Sequence, residues 1–152
     1  MKILVAVNGS EASKKALEYA LNIAKKVEGN IYVIHVIEEV PIRISRNIAC
    51  LSITTREVAP PPIPIPRSLK MKITREALKV LEYARLKAEE MKIYLDFIIC
   101  EGDPVSKILE ESAKGYDFLV LGFGVGGWLR PRFGSVMEKI LWKSKIPVLV
   151  VK

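Results

Sequence analysis

Leu121-Gly-Phe-Gly-Val-Gly-Gly-Trp-Leu-Arg-Pro-Arg-Phe-Gly-Ser-Val136 is the stretch whose reading decides the fold. It follows Tyr116-Asp-Phe-Leu-Val-Leu121, an apolar run of strand length, and leads into 136–142, which has helical spacing. The stretch is therefore a strand-to-helix loop. Five of the nine glycines in the chain fall within it, at 122, 124, 126, 127 and 134. Glycine lets a backbone turn through positive φ and approach a ligand closely. The helix start behind the loop adds unpaired amides and the positive end of a dipole, which favour an anion. Arg130 and Arg132 add charge beside it. A phosphate cradle is one reading. The other is structural: Ser135 followed by Glu138 is a capping box, which justifies a serine with no ligand at all. The loop has no Gly-Lys-Ser/Thr, so it is not a Walker A sequence. Gly122-x-Gly124-x-x-Gly127 has the dinucleotide spacing, but it follows the fourth strand, and too little chain remains for the rest of that unit.

Upstream, the chain alternates strand and helix. Lys2 to Val7 is a continuous apolar run and reads as a buried strand. Ser10 can cap the helix that follows, in which Ala16, Leu17, Ala20, Leu21, Ala24 and Val27 share one face. Gly29-Asn30 is the expected stop, and Asn30 to Ile37 is a β-branched second strand. A helix over 74–91 has the stripe Ala77, Leu81, Ala84, Ala88 and Met91. Ile93 to Cys100 is the third strand. Asp103 and Pro104 are an N-cap and a first helical residue, which accounts for Asp103 without a catalytic role. The fourth strand covers 117–121, and Pro147-Val-Leu-Val-Val-Lys152 contains the fifth.

Residues 40–69 form the odd region. They include Ala59-Pro-Pro-Pro-Ile-Pro-Ile-Pro66, which excludes helix and favours an extended conformation. The region is also apolar, unlike a flexible linker, so it is read as an excursion that packs on the domain or on a partner subunit. A short helix within 44–57 fits the sequence too.

Composition narrows the function classes. A length of 152 residues suits one domain, 1–152, with a proper core. No apolar run reaches membrane-spanning length, and Met1 leads directly into a strand rather than a signal peptide, so a cytoplasmic protein is expected. Cys50 and Cys100 are far apart in sequence and suggest neither a disulfide framework nor a metal site. One histidine, His35, lies inside the second strand with no partner at catalytic spacing and reads as a core residue. The net charge of +7 comes from lysines spread along helices, without an aromatic-interleaved basic cluster, which argues against nucleic-acid binding.

Five strands alternating with helices imply an α/β fold: a five-stranded parallel doubly wound sheet, order 3-2-1-4-5, with helices on both faces. The switch point lies between strands one and four, where ligands bind at the carboxyl ends. Asn8 and the glycine loop both arrive there.

At these residues the chain resembles the universal stress protein family, an adenine nucleotide alpha hydrolase-like fold. The resemblance rests on Ile3-Leu-Val-Ala-Val-Asn-Gly-Ser10, His35-Val36, Gly102-Asp-Pro104, Gly124-x9-Gly134-Ser135 with Val136 and Glu138, and the terminal Pro-Val-Leu-Val-Val. It implies ATP as ligand, with or without magnesium. Asn8 stands where the family has an aspartate at the adenosine. Val36 and Ala6 would pack on adenine. Backbone at Leu121, Gly122 and Gly124 would line ribose and phosphates, and Gly134, Ser135 and Val136 would hold the phosphates. Two departures stand out: one residue rather than two separates Gly122 from Gly124, and Asn8 lacks the aspartate charge.

The resulting expectation is a regulatory module binding ATP between strands one and four. The alternatives are a non-nucleotide-binding dimeric interaction protein and a weak ATPase. Efficient hydrolysis is not expected, because the loop holds no carboxylate to ligate a metal or orient water. No catalytic residue and no metal site is assigned. The apolar terminal strand is an edge that needs cover. The resemblance implies a homodimer paired through residues 147–151.

Overall fold

The computed structural model describes residues 1–38, 51–53, 75–124 and 135–152; for 51–53 and Ser135 the description is of the backbone. The Pro-rich run at 59–66 and the loop residues Arg130, Arg132 and Gly134 lie outside the described residues.

The elements in chain order are β1 (Lys2–Val7), α1 (Glu11–Val27), β2 (Asn30–Ile37), β3 (Leu51–Ile53), α2 (Arg75–Met91), β4 (Leu95–Glu101), α3 (Pro104–Ser112), β5 (Phe118–Gly122), α4 (Ser135–Lys143) and β6 (Val148–Val151). They form one sheet ordered β3-β4-β2-β1-β5-β6. Its five parallel strands, β4-β2-β1-β5-β6, have the order 3-2-1-4-5 when counted alone. Short β3 adds a sixth strand, antiparallel to β4. A short helix within 44–57 also fits the sequence; the three described positions of that range are strand. Leu51-Ser-Ile53 alternates apolar and polar residues, and three residues are too few for periodicity to separate strand from helix.

Each face of the sheet carries its own core. Ile3, Val5, Ile31, Val33 and Phe97 point to α1 and α2, where Ala16, Ala20, Ala24, Ala77, Ala84 and Ala88 meet them. Small side chains let those helices lie close to the strands. Leu4, Ile34, Ile98, Cys100 and Leu119 point to the other face, against Val105, Ile108, Met137 and Ile140 of α3 and α4. The alternation of neighbours along each strand is the two-residue period of the pleat.

Local signals explain the boundaries. The Ser10 side chain accepts from Ser13 N and starts α1. Asp103 does the same for Ser106 N, with Pro104 in the first turn of α3. The end of α1 differs from expectation: Glu28, not glycine, takes the left-handed position at φ 52°. Val27, assigned to the apolar face, is 43% exposed. Cys100, read as an isolated thiol, is disulfide-bonded.

Candidate ligand crevice at the switch point

Between β1 and β5 the crossovers leave in opposite directions, and a cavity of about 410 Å³ opens at the carboxyl ends of the strands. Its volume falls in the range of small-molecule sites. β1 contributes Ala6 and Val7, followed by Asn8. β2 contributes Ile34 and Val36, followed by Glu38. Leu121 and Gly122 of β5, with Gly124 beyond, form a second wall. Helices close the rest: Ser10 and Ser13 at the start of α1, Pro104 and Ile108 of α3, and Val136, Met137 and Ile140 of α4.

Seven residues assigned from sequence therefore meet on one hollow: Ala6, Asn8, Val36, Leu121, Gly122, Gly124 and Val136. Ser135 begins α4, while Gly134, Arg130 and Arg132 lie outside the described residues. Sequence reasoning missed Ser13, Ile34, Pro104, Ile108, Met137 and Ile140 as lining groups. Two signals could have found them. Ile34 shares a strand face with Val36, two residues away. Ser13, Pro104 and Met137 each lie in the first turn of a helix that starts at the carboxyl edge of the sheet.

The polarity of the hollow is uneven. Side chains of Ala6, Ile34, Val36, Ile108, Leu121 and Ile140 make an apolar floor, suited to a planar ring. Around the rim lie the first turns of α1, α3 and α4, each the positive end of a helix. Apolar base and positive rim together suit a ligand with a flat heterocycle and an anionic tail. Among the described lining residues, Glu38 is the one carboxylate.

Asn8 is more constrained than its sequence suggests. Its Oδ1 accepts from Ser10 N at 3.1 Å and from Ser10 Oγ at 2.7 Å. Ser10 Oγ in turn accepts from Ser13 N at 3.1 Å. A backbone N–H can only donate, so this network fixes the amide orientation. The acceptor of Asn8 is committed to the turn, and the amide NH₂ is what it can offer a ligand. An aspartate there would keep one oxygen for the turn and offer another acceptor. The asparagine thus reverses the polarity of that contact.

Gly122 has a packing role besides its place in the crevice wall. A Cβ there would lie 2.2 Å from Ala12 O and 2.7 Å from Ser13 N. The start of α1 rests directly on the end of β5, so Gly122 is required for packing whether or not a ligand binds. At Gly124 the nearest group to an added Cβ is the Ala12 methyl, at 3.8 Å, which is ordinary contact.

His35 lies close by but on the opposite sheet face, 5% exposed, with Nδ1 2.9 Å from Val7 O. The carbonyl can only accept, so Nδ1 carries the proton. Burial holds the ring's pKa below its ordinary value, and the bond to Val7 offsets part of that effect. It serves as a strut between β1 and β2. Buried Glu111, at the other pole of the molecule, accepts from Tyr116 at 2.8 Å and from Lys114 at 2.8 Å and is a satisfied structural carboxylate. Among the described residues no cluster of three or more His, Cys, Asp or Glu could hold a metal, and no helix is long and apolar enough to cross a membrane.

Residues 1–49 and 51–152 match the profile of the Universal stress protein family. The stress response protein NhaX of Bacillus subtilis is 36% identical over 163 aligned positions, covering 99% of this chain and 97% of the relative. The universal stress protein YxiE of the same organism is 31% identical, covering 99% and 98%. Among solved structures, an Arabidopsis thaliana family protein with AMP bound superposes with a TM-score of 0.63 at 23% identity, covering 100% of this chain and 91% of that one.

Proposed function

The chain belongs to the universal stress protein family, and from that premise we propose that it is a cytoplasmic regulatory module, one domain over 1–152, that binds ATP in the crevice between β1 and β5. The carrying observation is the convergence of seven residues, marked in sequence by the family resemblance, on a cavity with an apolar floor and three helix starts at its rim. The AMP bound to the Arabidopsis protein supports the adenine part of this reading.

Adenine would lie on Val36 and Ala6, with the Asn8 amide donating to an acceptor on the base or ribose. The phosphates would run toward the start of α4, where Gly134, Ser135 and Val136 follow the glycine loop and Arg130 and Arg132 add charge. Gly122 and Gly124 would let the β5 backbone approach the ribose. Binding, not turnover, is the proposed role: nucleotide would change the loop after Gly124 and with it the surface a partner meets.

Calorimetric titration of the full chain with ATP tests this. Saturable binding is expected, and Ala6→Leu, which adds three carbons to the cavity floor, should weaken it at least tenfold. Absence of heat at millimolar ATP, with no nucleotide released from the purified protein on denaturation, would overturn the reading.

The half-exposed terminal strand β6 is the proposed dimer edge. Two copies would pair antiparallel through it.

A further inference from the structure

The family resemblance allows ATP with or without magnesium, and the oxygen atoms around the crevice favour one of the two. In nucleotide sites magnesium is held by one or two carboxylates besides the phosphates, with metal–oxygen bonds of about 2.1 Å. Among the described lining residues Glu38 is the one carboxylate. It follows β2, and β1 lies between β2 and β5. Two strand spacings, roughly 9.5 Å, therefore separate its strand from the one that leads to α4. Glu11, Asp103 and Glu138 stand at the starts of α1, α3 and α4, but none of them lines the hollow. Asp103 Oδ2 is engaged by Ser106, accepting from N at 2.8 Å and from Oγ at 2.7 Å. The loop after Gly124 brings no acidic side chain, since 125–134 contain neither Asp nor Glu.

At the end of β1 the lining is uncharged. Asn8 Oδ1 accepts two hydrogen bonds from Ser10, at 3.1 Å from N and 2.7 Å from Oγ, which occupy both its lone pairs. The Asn8 NH₂ is a donor and cannot ligate a cation. Ser10 Oγ also accepts from Ser13 N, and Ser13 Oγ donates to Ser10 O at 2.8 Å. These oxygens are neutral and belong to the turn. A divalent cation does not fit this donor set.

We infer, on the premise that the crevice binds a nucleotide, that it selects the metal-free polyphosphate over its magnesium complex, and that Asn8 sets this preference. Charge gives the direction. The first turns of α1, α3 and α4 present positive helix ends at the rim. Bound magnesium cancels part of the polyphosphate charge and weakens that attraction. Protein and magnesium therefore compete for the same ligand. A nucleoside monophosphate, with a single phosphate to offer, holds magnesium weakly and escapes the competition.

Calorimetric titration of the full chain with ATP, in magnesium-free buffer and again with excess magnesium chloride at equal ionic strength, tests the inference. Magnesium should lower ATP affinity about threefold or more, the size of effect that one or two helix ends supply. AMP affinity should be the same in both buffers. In Asn8→Asp one oxygen can keep the Ser10 bonds while the other becomes free, so magnesium should strengthen ATP binding to that variant. Equal or tighter ATP binding to the wild type with magnesium would overturn the preference and leave nucleotide binding standing. A loss with magnesium that persists in Asn8→Asp would overturn the part assigned to Asn8. No saturable heat with ATP or AMP in either buffer would overturn nucleotide binding itself, and the preference with it.

Discussion

Gly122 shows how one residue can carry two signals. In the sequence it reads as part of a glycine-rich loop, and loop glycines suggest a ligand. The structure gives it a packing reason as well, because the α1 backbone occupies the space a methyl would need. Gly122→Ala should therefore cost about 3 kcal/mol, read by urea denaturation, before any question of binding arises. Gly124 lacks that constraint, so Gly124→Ala should leave stability nearly unchanged and report on the ligand alone. His35 gives a second expectation. Burial lowers its folded pKa below the ordinary 6.5. Between those two values the unfolded chain binds more protons than the folded one, so stability is full above pH 6.5 and falls as pH falls through the folded value. The drop between pH 7.5 and pH 5.0 should shrink in His35→Gln. That Asn8, Val36 and Val136 meet at one crevice was legible because the family resemblance marks them. The commitment of the Asn8 acceptor was not, since it depends on the Ser10 hydroxyl turning back across two residues.

Among the elements, those with strong period and chemical punctuation were legible almost to the residue. β1 and β2 match their expected bounds, and α1 and α3 start behind the caps assigned to them. Ser10 holds both the start of α1 and the Asn8 side chain. Ser10→Ala should lower stability by about 1 kcal/mol. It should also free the Asn8 amide to rotate, so ATP affinity should fall with it in calorimetry. Two features escaped. Glu28 ends α1 in the left-handed region because the chain must turn there before β2, and the neighbouring glycine drew the assignment. β3 escaped because its partner is almost fifty residues away, at β4, and a three-residue strand has no signature of its own.

The whole molecule has two different edges. β3 covers one side of the parallel strands, while β6 ends the other. Leu119 N donates to Pro147 O and Phe123 N to Val151 O, so alternate residues of β6 turn toward β5. The N–H groups of Val148 and Val150 consequently face away from the sheet. Val150→Pro removes one of them without touching the β5 ladder. Sedimentation at micromolar concentration should show wild type as a dimer and Val150→Pro as a folded monomer; a wild-type monomer would remove the edge-pairing proposal. The strand order was legible because alternation of strands and helices restricts the topology. The location of the crevice followed from it, whereas its floor depended on α3 and α4 packing that no local pattern records.

The gathering of three helix starts at one mouth also bears on stability. Like partial charges crowd there, and any small oxyanion that enters relieves their mutual repulsion. Heat resistance should accordingly follow the choice of buffer, with inorganic phosphate protecting more than an amine buffer of equal ionic strength. The hollow would then act as a crude gauge of its surroundings, whatever larger ligand it takes.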